Sequence, residues 1–199
     1  MRKWMLSLGV ILLLSGGGLV VYHGLELQRE AQVVQEWEPS EEPTVSIEEE
    51  ESDAPEPIIW SERPKEGSQL GELLIPRLKV KIPIISGVRD EDLKKGIGHH
   101  RNSVLPGEGD NSVLAGHRET ALEKAGEIEK GDQLIITTDQ GTFTYAVNKM
   151  WVTDAEDRSV IVSHDQAKLT LYTCWPLDAI GYAPDRYVIQ ADLVQVTTD

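Results

Sequence analysis

The chain of 199 residues contains a single cysteine, Cys174, so no disulfide can form within it. A lone thiol is a candidate nucleophile in a chain that also carries signs of export, which are described below. Its reactive form is the thiolate, and a nearby positive charge is needed to populate that form. The alternative is a small buried hydrophobe, a frequent role of free cysteine, and this residue alone leaves both interpretations open.

Basic residues are scarce: 19 Lys and Arg stand against 34 Asp and Glu, and the formal net charge is −15. This balance does not support nucleic-acid binding, so no nucleic-acid partner is predicted. Much of the acidity lies in residues 36–66, which hold 12 acidic residues, only two basic ones and half of the ten prolines. Such a segment repels itself and cannot bury apolar surface, so residues 25–67 are predicted to be a disordered acidic linker reaching about 35 Å or more.

Long apolar runs are scarce as well, and the long one at residues 4–22 directly follows Arg2 and Lys3. These uncharged residues would span about 28 Å as a helix, close to the thickness of a bilayer core. Positive charge before the run favours a cytoplasmic N-terminus, so residues 1–24 are predicted to be a single-pass membrane anchor with the rest of the chain outside. A cleaved signal peptide is the alternative, but apolar residues resume at Leu19 and no clear cleavage site follows.

Residues 68–199 are enough for one domain, and their pattern is mainly β. Short apolar or alternating runs are separated by proline and by turn signals such as Asp-Gln-Gly. Strands are predicted at Leu70–Ile75, Val80–Ile85, Gln133–Thr138, Thr142–Asn148, Leu169–Thr173 and Arg186–Val196, with another starting at Ser112. Short helices are predicted at Asp90–Gly96 and, from a capping box, at Thr120–Gly126. Many short strands with regular turns predict a closed barrel or a sandwich.

Two basic residues in short marked motifs, His117 and Arg186, join Cys174 as candidates. Strand alternation puts residues 170, 172 and 174 on one face of their strand, and residues 113, 115 and 117 on one face of another. His117 and Cys174 are therefore both predicted to lie where a strand ends. The pattern leaves open whether these two strands are neighbours.

Three segments resemble the motifs of sortases, in the same order along the chain. Thr170–Cys174 (TLYTC) resembles their TLxTC signature, Leu114–Arg118 (LAGHR) their histidine motif and Ala183–Ile189 (APDRYVI) their arginine motif. The spacings of 57 and 12 residues between the histidine, the cysteine and the arginine fit as well. Further segments look like those of class D sortases: Gly71–Leu78, Leu93–His99 and Leu105–Glu108.

The resemblance implies a closed sortase-type β-barrel of about eight strands with short helices, so residues 68–199 are predicted to be a sortase catalytic domain. The catalytic residues that it implies are His117, Cys174 and Arg186. Residues beside the cysteine are predicted to bind the substrate: Tyr172, Thr173 and Trp175. For Thr173 the alternative is a β-branched residue that simply suits a strand.

The resemblance also implies a reaction and its partners. A membrane-anchored sortase of a Gram-positive bacterium would cleave a surface protein at an LPxTG-like signal (LPxTG or LPxTA), after its Thr, through a cysteine thioester. It would then join the new carboxyl end to an amine of the cell wall or of its lipid-linked precursor, lipid II. In this scheme the histidine transfers protons, and the arginine, which stays charged, stabilises the oxyanion.

Some positions depart from the class D pattern, and no cofactor is predicted. Glu119 stands where Asp is frequent, Ala121-Leu122 stand where Phe is frequent, and Trp175 replaces the more usual Tyr, so the preferred signal stays open. His99-His100 are expected at a helix end rather than on a metal. Calcium stimulation would need acidic residues, but no EF-hand pattern supports a site among the candidates Glu119, Glu123, Asp154 and Asp157.

Two alternative functions remain at this point. One is a stalked cell-surface binding module without enzymatic activity, in which Cys174 is merely buried. The other is a cysteine L,D-transpeptidase, which has its cysteine in an S-H-G-C-type segment. In this chain the nearest preceding histidine is His164, ten residues upstream, so the match to that family is poor.

Overall fold

The computed structural model describes residues 17–22, 24–25, 33–37, 55–179 and 181–198. Most of the predicted anchor (1–24) and of the predicted acidic linker (25–67) lies outside these residues. Residues 17–22 and 24–25 are helical, and none of the described helices has the length and apolar character needed to cross a membrane. The chain divides into two compact units, residues 1–32 and residues 33–199, and the second contains all the strands described below.

Short strands dominate the second unit, as the alternation of the sequence predicts. Their bounds are β1 Gln35–Glu36, β2 Gln69–Ile75, β3 Val80–Ser86, β4 Ile97–His99, β5 Asn111–Ala115, β6 Gln133–Thr138, β7 Gly141–Asp154, β8 Lys168–Trp175 and β9 Asp185–Thr197. The predicted hairpin is confirmed, because β6 and β7 pair in antiparallel register through Thr138 and Gly141. β7 continues six residues beyond the predicted end, because it pairs with β9 along most of its length.

Eight of these strands close into a barrel, as predicted. Their order is β3-β2-β6-β7-β9-β8-β5-β4, and a parallel pairing between β3 and β4 closes the ring. β5 and β8 are also parallel, whereas the other neighbours in the ring are antiparallel. The parallel pair β5–β8 matters for the site, because it brings the ends of both strands to the same rim.

The barrel interior is filled by every second side chain of its strands. On β7, Phe143, Tyr145 and Val147 are almost fully buried in the core, in agreement with the predicted alternation. The Tyr145 hydroxyl accepts a hydrogen bond from the Gly107 backbone N–H at 2.8 Å. This buried phenol is therefore partnered, and burial raises its pKa well above the ordinary value for tyrosine.

Residues before the predicted boundary at residue 68 also pack on the barrel. Trp60 belongs to the core and is 9% exposed, and its indole N–H donates to the Pro106 carbonyl at 2.9 Å. Strand β1 also pairs with the start of β3. The acidic composition of the segment hides these few apolar residues, which is why a composition average places them in a linker.

The two predicted helices have different outcomes. Asp90–Leu93 forms one α-helical turn, and the buried Asp92 carboxylate accepts from the backbone N–H and the side chain of Arg89. Thr120–Gly126 forms turns and a short 3-10 segment, Ala125–Glu127, rather than the predicted α-helix. The reason lies in the hydrogen bonds around His117, which are described with the site.

Candidate active site

Cys174 and Arg186 lie directly opposite each other on neighbouring antiparallel strands. The register pairs Cys174 of β8 with Arg186 of β9, and residues paired in this way have Cβ atoms about 5 Å apart. Leu171 and Ile189, at positions of the other parity, are buried in the barrel core. Alternation therefore turns Cys174 and Arg186 to the outer face of the sheet, where both are partly exposed.

His117 reaches the same rim through the parallel neighbour of β8. β5 pairs with β8 up to Ala115 and Tyr172, and the Gly116 N–H continues the ladder by donating to the Tyr172 carbonyl at 3.1 Å. His117 lies two residues after Ala115, and Cys174 lies two residues after Tyr172, the partner of Ala115. Both candidates therefore lie at the same level along neighbouring chain segments. The sequence left this neighbourhood open. The strand itself ends at Ala115, so His117 lies in the turn that follows β5 rather than on the strand.

The turn after His117 is closed by its own carbonyl. The His117 carbonyl accepts from the Leu122 N–H at 2.9 Å and from the Thr120 N–H at 3.4 Å. The hydrogen bonds that follow span three residues rather than four, such as the bond from the Ala125 N–H to the Leu122 carbonyl at 3.1 Å, so the segment forms turns and a 3-10 segment instead of an α-helix. Leu122 is buried, and a Cβ added to Gly116 would lie 2.9 Å from its Cδ1. A larger residue at this position would therefore require Leu122 or the backbone before His117 to shift.

The Arg186 guanidinium is held at one of its ends. Its Nη1 donates to the Asp185 carbonyl at 2.9 Å and to the Ala183 carbonyl at 3.5 Å. Among the described residues no protein acceptor meets its Nε or Nη2. These N–H groups remain for a ligand, and a guanidinium keeps its charge at every physiological pH.

Tyr172 connects the candidates with a histidine that sequence reasoning misplaced. Its hydroxyl and the His100 Nε2 share a hydrogen bond of 2.6 Å, and the ring centroids are 5.7 Å apart. Burial raises the pKa of Tyr172, the Arg186 guanidinium opposes this rise and Cys174 adds to it, so the tyrosine senses both groups. Burial also lowers the pKa of His100. Both partners are therefore neutral near pH 7.

The prediction that His99 and His100 end a helix is wrong. His99 is the last residue of strand β4 and is 1% exposed, with its Nε2 2.8 Å from the Val104 carbonyl. Burial is the main cause that lowers the pKa of His99 to about 4, so its ring is uncharged at neutral pH. A period-two pattern over Ile97–His99 is too short to separate a strand from a helix end.

Thr173 and Trp175 do not share the face of Cys174. Thr173 is 2% exposed, and its hydroxyl donates to the Gly116 carbonyl at 2.8 Å, so this hydroxyl supports the turn before His117. The Trp175 ring packs against Tyr187, with centroids 5.6 Å apart. Of the three predicted substrate-binding residues, only Tyr172 is placed beside Cys174 on the outer face.

A long loop covers the outer face beside the candidates. Asp154 at the end of β7 and Trp175 at the end of β8 both pair with Asp185 of β9, so these two strand ends lie at the same edge of the sheet. The loop of residues 155–167 must therefore run back along β8 to reach Lys168, where β8 begins. It is fastened by the Asn111 amide, which donates to the Val160 and Val162 carbonyls at 3.3 and 3.1 Å. Buried apolar side chains outside the main core lie under this side of the sheet: Val113, Ala115, Val160 and Val188.

Asp110 fastens the same loop near its end. Its carboxylate accepts from the Ser163 hydroxyl and from the His164 N–H, both at 2.7 Å. Burial raises the pKa of Asp110, but these hydrogen bonds outweigh burial and leave the pKa below its ordinary value. The loop of residues 155–167 is therefore fastened to the rest of the fold both at Asn111 and at Asp110.

The predicted acidic candidates for calcium are not gathered into one cluster. In the part of the chain that the structure describes, no three His, Cys, Asp or Glu side chains come together as a metal site would require. Glu119 pairs with Arg118, and Asp157 accepts from Ser159.

The family to which this geometry belongs follows from comparison with known proteins. The sortase domain family model matches residues 73–194, so the chain belongs to the sortase family. Sortases are transpeptidases associated with the membrane of Gram-positive bacteria.

The chain resembles class D members of this family. It is 42% identical over 128 residues to Sortase D of Bacillus subtilis, and the aligned region covers 64% of this chain and 65% of that protein. It is 40% identical to the catalytic domain of SrtD from B. anthracis, with a TM-score of 0.59 over 71% of this chain and 98% of that one. For a Sortase D5 transpeptidase of Clostridium perfringens the identity is 29% and the TM-score 0.61, over 66% and 82% of the two chains. The chain thus spans just under two thirds of the Bacillus subtilis relative's length.

Proposed function

We propose that this chain is a cysteine transpeptidase that cleaves an LPxTG-like signal after its Thr and transfers the protein to an amine. One observation carries the proposal. Cys174 and Arg186 are direct partners on the outer face of β8 and β9, and His117 follows the parallel neighbour at the same level. A nucleophile, a proton carrier and a permanent cation thus share one rim.

In the first half-reaction the Cys174 thiolate attacks the carbonyl carbon of the signal's Thr. The new C–S bond moves the π electrons onto the carbonyl oxygen, and the Arg186 Nε and Nη2 groups stabilise that oxyanion. When the oxyanion collapses, the C–N bond breaks and the imidazolium of His117 donates its proton to the departing amine. The product is a thioester on Cys174, which divides one difficult step into two easier ones.

In the second half-reaction an amine attacks the thioester carbon. His117, now a neutral imidazole, takes the proton of the incoming amine and returns to the imidazolium form. Arg186 again faces the oxyanion. Collapse breaks the C–S bond, regenerates the thiolate and forms the new amide.

The outer face carries exposed apolar side chains that suit an extended apolar peptide. Ile161 and Val162 of the loop after β7 are 42% and 44% exposed, and they would contact an apolar part of the substrate. Tyr172 precedes Cys174 by two residues on the same face of β8 and would contact the substrate near the scissile bond.

The cellular setting belongs to the same proposal. The chain would be a single-pass protein of the cell membrane, held by residues 1–24 with its catalytic domain outside. Its substrates would be surface proteins with C-terminal LPxTG-like signals, and its acceptor would be lipid II or a peptidoglycan amine. The enzyme needs no cofactor for the steps above.

Product analysis tests the reaction. The full chain is incubated with LPxTG and LPxTA peptides and a peptidoglycan-type amine, and the products are sequenced by mass spectrometry. The proposal predicts cleavage after Thr and a new bond between Thr and the amine, both absent in Cys174→Ala. Binding of peptide without cleavage would favour the binding module instead. Cleavage that persists in Cys174→Ala would contradict the assignment of the nucleophile.

A further inference from the structure

The residue after His117 is a buried cation whose partners connect two parts of the site. Arg118 is 1% exposed and is the largest of the fully buried side chains. Burial of a charge is costly unless hydrogen bonds and an opposite charge compensate. Strand alternation alone predicts that this residue points away from the face of His117 and therefore gives it no role in the site.

Its three hydrogen bonds account for the burial. Nη1 donates to the Pro176 carbonyl at 2.7 Å, Nη2 to the Gly181 carbonyl at 2.6 Å, and Nε to the Glu119 carboxylate at 2.9 Å. Pro176 and Gly181 both belong to the loop that joins β8 to β9. One guanidinium therefore connects the His117 turn to the start and to the middle of the loop between Cys174 and Arg186.

The loop has few other contacts that fix it. The Pro184 carbonyl accepts from the Ala155 N–H at 3.2 Å and Leu177 packs against the core, whereas the exposed residues of the described part are Asp178, Gly181, Tyr182 and Pro184. The loop also supplies the Ala183 carbonyl, which together with the carbonyl of Asp185, the first residue of β9, holds the Arg186 Nη1. The contacts thus run from Arg118 through the loop backbone to the guanidinium that faces the oxyanion.

We infer that Arg118 is a positioning residue that sets the β8–β9 loop, and through it Arg186, relative to His117. The inference rests on the proposed function, because Arg186 is assigned there to the oxyanion. Glu119 completes the arrangement as the counter-ion at the solvent side, where its side chain is 53% exposed. Glu119, one of the positions where this chain departs from the class D pattern, is thus the ion-pair partner of Arg118.

The chemistry of the contacts calls for arginine. Two carbonyls and a carboxylate approach three different nitrogens of one planar group, which matches the fixed fork of a guanidinium. A lysine at this position keeps the charge but offers a single nitrogen, so it cannot reach both carbonyls in the same geometry. Arg118→Lys is therefore expected to be intermediate between the wild type and Arg118→Met.

The first experiment measures two reactions of the same thiol in the full chain. One is thioester formation with an LPxTG-type peptide, which needs the oxyanion partner. The other is alkylation of Cys174 by iodoacetamide, which does not. A displacement of about 1 Å at a catalytic group costs about 100-fold in rate. Arg118→Met is expected to slow thioester formation by about that factor and Arg118→Lys by less, while alkylation stays within about twofold of wild type.

The matched control is Arg77→Met, the same change at a surface arginine paired with Glu129 and Asp132 beyond β2. It should leave both rates unchanged. An Arg118→Met variant that forms the thioester at the wild-type rate would overturn the inference. So would a loss of thioester formation that is matched by an equal loss of alkylation in both Arg118 variants, because that result describes a general loss of thiol reactivity rather than a misplaced oxyanion partner.

A second measurement is independent of the proposed reaction. Chymotrypsin cleaves after exposed aromatic residues in loops that open, and Tyr182 provides such a site. Arg118→Met and, less strongly, Arg118→Lys should accelerate cleavage between Tyr182 and Ala183 by about tenfold, as followed by intact mass, while Arg77→Met should not. If the Arg118 variants are cleaved faster but the wild type forms no thioester, Arg118 does hold the β8–β9 loop and the proposed function is refuted. If cleavage is unchanged in both variants, the role of Arg118 in holding the loop is refuted.

Discussion

The backbones of Cys174 and Arg186 are positioned by strand pairing, whereas His117 is positioned by side chains around a turn. β8 and β9 pair without interruption from Lys168 and Asp192 to Trp175 and Asp185, so the backbone positions of the cysteine and the arginine are fixed by register, and the neighbouring loop has only the Arg186 guanidinium to orient. β5 stops at Ala115, two residues before the histidine. The two halves of one site therefore depend on different interactions, and different substitutions should disturb them.

The side-chain half is a set of local contacts. Gly116 lets the chain pass Leu122, the Thr173 hydroxyl holds the Gly116 carbonyl, and Arg118 holds the neighbouring loop. Each of these contacts is a single interaction, whereas the pairing of β8 with β9 consists of many backbone hydrogen bonds. We expect the His117 half to be altered by conservative changes that leave the ladder intact.

The largest effect should come from the ladder half. Arg186→Ala removes the donor to the oxyanion without removing a backbone pair, so kcat should fall by roughly 10²–10³. Arg186→Lys keeps the charge but lacks the fork and should recover only part of the loss. Steady-state transpeptidation measures both, with iodoacetamide alkylation of Cys174 as the control for the fold. A loss of less than about threefold in Arg186→Ala would remove Arg186 from the oxyanion role.

Acid should weaken the strand that supports the turn. His99 pairs with Leu114 of β5, and its pKa is about 4 in the fold against about 6.5 when unfolded. Between these values the unfolded chain binds a proton that the folded chain does not. Stability is therefore expected to fall by about 3 kcal/mol as the pH drops from about 6.5 to about 4, with no further loss from this group below that range.

The variant His99→Gln isolates that contribution, because glutamine can still donate to the Val104 carbonyl but does not titrate. Urea unfolding at a series of pH values should show a shallower loss of free energy between pH 6.5 and 4 than in the wild type. Asp110 contributes to acid sensitivity in both proteins, so the difference between them is the decisive quantity. Identical slopes would mean that His99 is protonated in the fold.

Gly116→Ala should disturb the turn without touching the ladder. The new Cβ would meet Leu122 Cδ1 at 2.9 Å, and because Leu122 is buried we expect the backbone before His117 to shift together with that side chain. A small displacement of the proton carrier should lower kcat by about 10- to 100-fold while alkylation of Cys174 is retained. The double variant Gly116→Ala, Leu122→Ala removes the clash, and failure to regain part of kcat there would argue against this cause.

Thr173→Val should give the smallest effect. It removes the hydrogen bond to the Gly116 carbonyl and keeps the β-branched shape, so it should cost about 1 kcal/mol of stability. Activity should fall by a few-fold. Thr173→Ser retains the hydroxyl and serves as the control in thermal unfolding. A large fall in kcat with unchanged KM and stability would instead favour a direct role of the hydroxyl in the reaction.

Local patterns in the sequence predict most of the barrel and the candidate triad. Alternation at Phe143 and Tyr145 and the turn at Gln140-Gly141 depend on neighbouring residues, which a sequence displays directly. The site residues follow from motifs. The parallel pairing of β5 and β8 is not predictable in this way, because the two strands are separated by β6 and β7 along the chain.

The contacts that the sequence does not reveal are long-range and made by single side chains. His100 meets Tyr172 across 72 positions, and Arg118 meets Gly181 across 63. Neither has a periodic signal, because each depends on how parts of the chain that are distant in sequence approach each other. Trp60 falls within the predicted linker for a related reason, since one packed aromatic does not change the composition of an acidic segment.

Formation of a thioester on Cys174 tests the central claim most directly. The full chain is mixed with an LPxTG-type peptide in the absence of an amine, and its intact mass is recorded over time. The account predicts a mass increase equal to the peptide up to its Thr, reversed by hydroxylamine, slowed in Arg186→Ala and absent in Cys174→Ala. No adduct with LPxTG or LPxTA peptides, while Cys174 still reacts with iodoacetamide, would contradict it.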